Sequence, residues 1–286
     1  MSAGKFWPLI AHFQSREARL GERMRRNRVS AFLYEFLRFG VKQAWACLFG
    51  GAMVALIVAT HYAYPPDTAL SRYDFLFLAA LAIQCIMLIL RLETLEEAKV
   101  ILIYHVIGTA MEIFKTHVGS WIYPENAFFR IGGVPLFSGF MYASVGSYIT
   151  RCWRLFDFRF THHPPVWALL LLSTIIYVNF FSHHYTIDLR WLLFIASAIL
   201  LGRTWVHYHI WHTHRRMPLL LGLFLVSLFI WFAENLGTWA HAWMYPHQAA
   251  SWSMVSFSKL GSWFLLLIIS YSLVAWVNKP ERDSAG

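Results

Sequence analysis

Apolar residues in this chain fall in long uninterrupted blocks, separated by short segments that carry the charges. A surface helix would show apolar residues on one side only, whereas blocks that are apolar all round and about 20 residues long are typical of helices in lipid. The blocks therefore predict eight membrane-spanning helices. Their expected positions are about 43–62, 74–91, 99–116, 132–150, 165–183, 189–206, 217–235 and 257–277.

Composition supports the same class of protein. Hydrophobic residues make up 58% of the chain and charged residues only 14%, against about 25% charged in a soluble domain. The net charge of +9 alone would suggest nucleic acid as a partner. The basic residues lie between the apolar blocks, however, so membrane topology explains the charge better, and we expect membrane lipids rather than nucleic acid as partners.

The distribution of basic residues predicts an orientation. With the N-terminus inside, the inner segments hold 19 Lys and Arg and the outer segments hold 5. Basic residues concentrate on the cytoplasmic side of membrane proteins, so both termini are expected in the cytoplasm. Residues 1–42 carry nine of the basic residues. The apolar patch Phe32–Phe36 within them is interpreted as an amphipathic segment on the inner membrane face.

A thirteen-residue motif occurs twice, at residues 112–124 and 122 positions later at residues 234–246. The two copies share five residues at the same offset, namely Glu112 with Glu234, Thr116 with Thr238, Trp121 with Trp243, Tyr123 with Tyr245 and Pro124 with Pro246. Trp, Tyr and Pro are uncommon, so the match indicates an internal duplication.

The duplication and the orientation together predict the fold class: an all-α polytopic membrane protein with about eight transmembrane helices in two parallel four-helix repeats. The expected boundaries are a basic N-terminal segment (1–42), a first repeat (43–160), a second repeat (161–277) and a cytoplasmic tail (278–286). Both motif copies would then lie on the outer side, where Trp and Tyr can also serve as a simple aromatic belt.

Polar residues follow one face of the third predicted helix. His105, Thr109, Glu112 and Thr116 are spaced by four, three and four residues, which places them on a common face. A glutamate in lipid costs about 2.5 kcal/mol or more unless a polar interior or a partner surrounds it, so paired glutamates indicate a functional site. Lys115 and Asn235 are candidate partners. We predict Glu112, Glu234 and His105 as catalytic residues, and Trp121, Tyr123, Trp243, Tyr245, Asn235 and Thr109 as substrate-binding residues.

The histidines do not indicate a metal site. Residues 207–214 contain four histidines without the HExxH spacing of a helical zinc site, and we interpret them as a basic interfacial loop on the inner side. The outer histidines, such as His61 and His183, share a membrane face but show no ligand spacing. With Glu112 and Glu234 they could bind a metal such as zinc or iron, and this alternative stays open. The spacing itself leads us to expect no metal and no cofactor.

Several segments together resemble the YoaT-like family of bacterial integral membrane proteins, a domain of unknown function (number 817). These segments are His105, Gly108, Glu-Ile-Phe-Lys from Glu112, Gly-Ser-Trp-x-Tyr-Pro from Gly119, Ile-Gly-Gly-Val-Pro-Leu-Phe-Ser-Gly-Phe-Met-Tyr from Ile131, Asn179-Phe-Phe-x-His-His, Asp188-x-Arg-Trp-Leu-Leu and Trp231-Phe-Ala-Glu-Asn. The resemblance covers about residues 40–277. It implies a multispan protein of the bacterial cytoplasmic membrane, with no established activity or catalytic residues.

A weaker similarity extends to the lycopene cyclase domain of carotenoid enzymes, which also has paired repeats. The shared features are Glu112, the Trp-x-Tyr of the motif and the Ile-Gly-Gly-Val-Pro before the fourth helix. That family typically has paired glutamates after Val-Pro, suited to protonating a polyene, where this chain has Phe137, Ser138 and Gly139. This departure counts against cyclase chemistry.

Three functions fit the sequence. The first is an enzyme that uses acid–base chemistry on an isoprenoid or other lipid, an apolar small molecule. The second is a small-molecule or proton-coupled transporter whose carboxylates titrate between the repeats. The third is a non-catalytic membrane binding or assembly protein. The absence of P-loop, GxSxG and HExxH motifs disfavours ATP-driven transport and serine or zinc hydrolysis. The oligomeric state is left open.

Overall fold

The computed structural model describes residues 27–65, 68–212 and 214–280 and shows a mostly helical protein. Within these ranges the helices and strands, numbered in chain order, are α1 (Arg28–Ala46), α2 (Leu48–Ala63), α3 (Arg72–Ile89), α4 (Leu95–His117), β1 (Arg130–Ile131), β2 (Val134–Pro135), α5 (Phe137–Leu155), β3 (Arg159–Thr161), α6 (Val166–Ser182), α7 (Arg190–Leu201), β4 (Trp205–His209), β5 (His214–Pro218), α8 (Leu219–Trp239) and α9 (Ser258–Asn278).

Among the described residues, three helices are long and apolar enough to cross a membrane: α3, α8 and α9. A fourth candidate is the pair α1 and α2, which is bent by 71° at Cys47. Helices α6 and α7 are apolar but shorter. At 1.5 Å per residue, the 12 residues of α7 span only about 18 Å, less than the hydrocarbon thickness of a bilayer.

The central element is α5, which packs against α1, α2, α3, α4 and α9. One face of this helix carries the small residues Gly139, Ala143 and Gly146. A Cβ atom added at Gly139 would overlap His105 and Thr109, and one added at Gly146 would overlap the ring of Tyr104. These glycines let α4 lie directly against α5.

A buried ion pair fixes the C-terminal end of α5. Arg151 is fully buried, and its Nε lies 3.4 Å from Oε1 of Glu93. Its other nitrogens donate to the carbonyl oxygens of Trp45 (3.0 Å) and Leu92 (3.1 Å). The Ser147 hydroxyl donates to the same glutamate at 2.7 Å. One cation therefore joins α1, α5 and the turn before α4.

The N-terminal end of α3 holds the loops that carry the two motif copies. Asp74 accepts hydrogen bonds from the backbone N–H groups of Phe128 and Phe129. Arg72 pairs with Glu125 at 2.9 Å and also donates to the carbonyl of Ala240 at 2.7 Å. The two loops are therefore anchored to one helix end.

The amphipathic segment predicted near Phe32 is the helix α1. Its apolar residues Val29, Phe32, Leu33, Phe36 and Leu37 are exposed and share one face, because they recur at three- and four-residue spacing. On the opposite side, Glu35 binds Arg215 through two hydrogen bonds of 3.0 and 2.6 Å.

Two expectations about local structure are wrong. Of residues 207–214, interpreted as a loop, residues 207–209 and 214 belong to strands β4 and β5, which form a three-stranded antiparallel sheet with β3. The fold is therefore mostly helical rather than all-α. The predicted sixth helix (189–206) ends at Leu201, and its last residues enter β4. A short apolar run such as Trp205-Val206 fits a strand as well as a helix, so apolarity alone does not separate them.

Helix boundaries at the fourth predicted span also differ. The Gly132-Gly133 segment turns between β1 and β2 with positive φ at both glycines, and α5 begins only at Phe137. Glycine adopts positive φ at little energetic cost, so a tight two-residue turn is favourable at this position. The hairpin therefore forms here, and the helix begins after it.

Candidate functional site

Glu112 lies near the C-terminal end of α4 and is 5% exposed. Its Oε2 accepts hydrogen bonds from the indole N–H of Trp121 (2.6 Å) and the hydroxyl of Tyr123 (2.5 Å). Its Oε1 accepts from the hydroxyl of Tyr142 on α5 at 2.7 Å. The buried carboxylate is therefore surrounded by three neutral donors.

Glu234 lies near the C-terminal end of α8 and is also 5% exposed. The hydroxyl of Tyr245 donates to its Oε1, and the indole N–H of Trp263 on α9 donates to its Oε2 at 2.7 Å. This glutamate, like Glu112, is held by one tyrosine and one tryptophan, but it has no third donor among the described residues.

The tyrosines of the two motif copies take equivalent positions. Tyr123 and Tyr245 each lie eleven residues after their glutamate and donate to it. The tryptophans do not correspond. Trp121 donates to Glu112, whereas Trp243 packs against Gly237, where a Cβ atom would overlap its ring. In the second copy Trp263, outside the motif, supplies the indole donor.

The two motif copies touch each other. Ile122 and Met244, separated by the same 122 residues as the glutamates, form an antiparallel bridge with reciprocal N–H···O bonds of 2.9 and 3.0 Å. The rings of Trp121 and Tyr245 meet edge to face with centroids 6.2 Å apart. The bridge therefore brings both sets of glutamate donors to one place.

Both glutamates line a large, mostly apolar cavity of about 910 Å³. The cavity extends from Glu112 and Glu234 to Gln43 on α1 and Cys152 at the far end of α5. It follows α8 from Leu219 to Leu236, which is about 25 Å of helix. Its volume lies within the range of small-molecule sites, about 300–1,000 Å³.

The tyrosine hydroxyls are held in their protonated form. Burial raises the pKa of Tyr123 well above its ordinary value, and the neighbouring Glu112 carboxylate raises it further. The same two causes raise the pKa of Tyr245, whose neighbour is Glu234. Both hydroxyls therefore act as hydrogen-bond donors to their glutamates near neutral pH.

Six of the nine predicted site residues lie together: Glu112, Glu234, Trp121, Tyr123, Trp243 and Tyr245 all line the cavity. The other three, His105, Thr109 and Asn235, are not among its lining residues.

Each of these three has another place in the structure. His105 packs against Phe140 between α4 and α5, with ring centroids 4.5 Å apart. The hydroxyl of Thr109 donates to the carbonyl of His105. Asn235 donates to the carbonyl of Trp231 and accepts from the N–H of Val255, which fixes the chain before α9.

Lys115 does not serve as the partner of Glu112. Its Nζ lies 2.7 Å from Nε2 of His184 and 4.0 Å from the ring centre of Phe180. Among the described residues, no group of three or more His, Cys, Asp or Glu side chains is arranged to hold a metal ion.

Sequence reasoning missed two donors and did not place three cations in the site. Tyr142 and Trp263 come from α5 and α9, and neither belongs to the repeated motif. Lys115, Arg190 and Lys259 also line the cavity near the glutamates. The sequence suggested Lys115 only as a partner of a glutamate, and Arg190 and Lys259 only as outer basic residues. The one signal in the sequence was that these residues are basic although they lie on the predicted outer side, where few charges occur.

Comparison with known proteins assigns the chain to a family. Residues 35–271 match the family model described as "Protein of unknown function (DUF817)". The chain is 42% identical over 250 residues to "Uncharacterized protein YoaT" from Bacillus subtilis (strain 168), and the match covers 87% of this chain and 94% of that protein. No solved structure matches the chain. A family match of this extent means that the chain belongs to the DUF817 family.

Proposed function

We propose that this protein is an integral membrane enzyme that acts on an isoprenoid or other lipid by acid–base chemistry. The observation that carries the proposal is the pair of buried glutamates, Glu112 and Glu234, at one end of a long apolar cavity. Carboxylates in an apolar cavity are costly, and structural needs alone do not require two of them to face the same space.

The chemistry that suits this arrangement is a redox-neutral isomerisation of a carbon–carbon double bond. One carboxylic acid, for which Glu112 is our candidate, donates its proton to a carbon–carbon double bond and leaves a carbocation on the lipid. The π faces of Tyr123 and Trp243, which line the cavity with the glutamates, stabilise the cation. Loss of a proton from a neighbouring carbon to Glu234 completes the reaction, so atoms and charge balance without a co-reactant.

The hydrogen-bond partners of Glu112 permit this role. A tyrosine hydroxyl both donates and accepts, so Tyr142 can turn its oxygen toward a protonated carboxyl group. The indole N–H of Trp121 only donates and therefore keeps Oε2 as an acceptor. The proton is then carried on Oε1, the oxygen bonded to Tyr142.

The proposed setting is a bacterial cytoplasmic membrane crossed by eight helices in two parallel repeats, with both termini inside. Three observations support it: the apolar helices, the exposed apolar face of α1, and the pairing of Ile122 with Met244 at the repeat offset. Residues bonded reciprocally in an antiparallel bridge are related by a local two-fold axis, as equivalent positions of a parallel repeat would be.

The length of the cavity favours a transporter as the second candidate. Lining residues extend along about 25 Å of α8, most of a bilayer's hydrocarbon thickness. A carrier would use Glu112 and Glu234 to couple substrate movement to protons.

The test compares lipid extracts of a bacterial strain lacking the gene with those of strains that express wild type, Glu112→Gln or Asp157→Asn. Asp157 is an exposed carboxylate that is absent from the cavity lining and serves as the matched control. We expect a lipid that accumulates in the deletion strain and is converted by wild type and Asp157→Asn, but not by Glu112→Gln. If the lipid composition is unchanged and the gradient of a substrate across the membrane depends on Glu112, the enzyme proposal fails and the carrier proposal is supported.

A further inference from the structure

Three cations share the glutamate end of the cavity: Lys115 on α4, Arg190 at the start of α7 and Lys259 on α9. They lie close enough that each lysine is repelled by Arg190, and Lys115 also by Lys259. Lys115 is only 4% exposed. Like charges converge at this end of the cavity, where Lys115 is buried and Lys259 and Arg190 are partly exposed, and their convergence is unfavourable unless something neutralises them.

The surrounding side chains neutralise only part of this charge. Arg190 pairs with Asp188 at 3.3 Å. The Lys115 ammonium contacts a histidine nitrogen and the face of Phe180. The Lys259 ammonium lies 4.6 Å from the ring centre of Tyr245. Within the described part of the chain, no carboxylate oxygen lies within 4.0 Å of either ammonium, so both rest on neutral groups.

The two glutamates supply only part of the missing charge, because Glu234 attracts Lys259 while its oxygens are hydrogen-bonded to other groups. The oxygens of Glu112 and Glu234 face tyrosine and tryptophan donors. Cation–π contacts contribute only about 0.5–2 kcal/mol, less than the cost of an unpaired buried ammonium. The lysines therefore retain hydrogen-bonding capacity toward the cavity that an anion would use.

We infer that Lys115, Lys259 and Arg190 bind the anionic head group, a phosphate or a carboxylate, of a single-chain amphiphile whose apolar tail fills the cavity. The inference rests on the proposed function, because it names the class of substrate for the same site. The tail would lie along α8 beside Leu223, Val226 and Ile230, which line the cavity beyond the glutamates. The head group at the cations places the first carbons of the tail beside Glu112 and Glu234.

The test measures binding to the full-length protein in lipid nanodiscs. The probes are farnesyl monophosphate, palmitate and the uncharged farnesol, and binding is followed by tryptophan fluorescence at low and high salt. A charged group contributes about 1.5–3 kcal/mol through its hydrogen bonds. We therefore expect an anionic probe to bind at least about tenfold more tightly than farnesol, with the advantage reduced by salt.

Variants assign the effect to the subsite. Lys115→Met and Lys259→Met should each weaken binding of the anionic probe by about 10- to 100-fold, and Lys259→Arg should retain most of it. Arg130→Met, which removes an exposed cation absent from the cavity lining, should leave binding unchanged. The salt dependence of anionic-probe binding to the wild-type protein tests the inference without requiring that any variant folds.

The outcomes separate this inference from the proposed function. Phosphate-selective or carboxylate-selective binding supports the subsite and identifies its head group. Equal binding of farnesol and both anions, or lysine variants that bind like wild type, overturns it. Glu112→Gln should bind the anionic probe like wild type. If it does so while lipid conversion is unaffected by the substitution, the subsite stands and the proposed enzyme fails.

Discussion

Replacement of Glu112 by alanine tests the hydrogen-bond network most severely. The substitution removes both carboxylate oxygens and leaves the N–H of Trp121 and the hydroxyls of Tyr123 and Tyr142 without their acceptor. A buried donor without an acceptor costs about 1–3 kcal/mol. Three such donors therefore cost about 3 kcal/mol at the lower end, since water from the cavity can satisfy part of the need.

Glu112→Gln should cost much less. With its carbonyl oxygen in place of Oε2, the amide still accepts from Trp121 and Tyr123, and its NH₂ can donate to the hydroxyl oxygen of Tyr142 after that hydroxyl rotates. Every polar group keeps a partner, and only the charge-assisted part of the hydrogen bonds is lost. We expect a loss of about 1 kcal/mol.

The assay is thermal unfolding of the purified protein in detergent, followed by tryptophan fluorescence at one protein concentration. One kcal/mol shifts the Tm of a protein of this size by about 2–4 °C. Glu112→Ala should therefore lower Tm by about 6–12 °C and Glu112→Gln by about 2–4 °C. Equal shifts for the two variants, or an alanine variant as stable as wild type, would refute the network as described.

Three further predictions address packing, charge and topology. Gly139→Ala should lower stability by about 1–3 kcal/mol, because its Cβ would overlap His105 and Thr109. Gly40→Ala, with nothing within 4 Å of the added atom, should not lower it. Equal melting temperatures for the two variants would contradict the α4–α5 contact. The hydrogen bonds of Arg215 lower the pKa of Glu35, so this half-exposed pair contributes about 1 kcal/mol or less of stability above the unfolded glutamate pKa of about 4.3. That stability is lost as the pH falls through the lower folded pKa. Glu35→Gln should remove this pH dependence of the melting temperature, and an unchanged dependence would exclude the pair as its source. Reporter fusions at residues 125 and 247 should score as external and those at residues 95 and 157 as internal; an internal score at residue 125 would reverse the orientation.

The paired glutamates could be predicted as site residues from the sequence because their tyrosine partners lie close to them in the chain. Tyr123 follows Glu112 by eleven residues, and Tyr245 follows Glu234 by the same distance, so a helix end and a tight return of the chain suffice to bring them together. Their recurrence at one offset made them visible in the sequence.

Contacts between distant elements were not predictable in this way. Tyr142 and Trp263 reach the glutamates from α5 and α9, and only the packing of those helices determines the approach. The polar spacing that linked His105 to Glu112 correctly placed both on α4. It could not show that the cavity lies beside Glu112, while His105 packs against Phe140 on α5.

Helix positions followed well from apolar blocks, and their ends did not. A hairpin at Gly132-Gly133 delays α5, and strand pairing of Trp205 with Thr161 and Pro218 takes residues that the apolar pattern assigned to a helix. Hydrogen-bond partners for a strand come from elsewhere in the chain, so a single segment does not reveal them.

The central claim is that Glu112 transfers a proton to a lipid. The most direct measurement incubates purified protein in D₂O with the lipid extract of the deletion strain and follows deuterium in the lipids by mass spectrometry. The account predicts a lipid that gains solvent deuterium with wild type and with Asp157→Asn but not with Glu112→Gln. No lipid labelled by wild type, or equal labelling by Glu112→Gln, would contradict it.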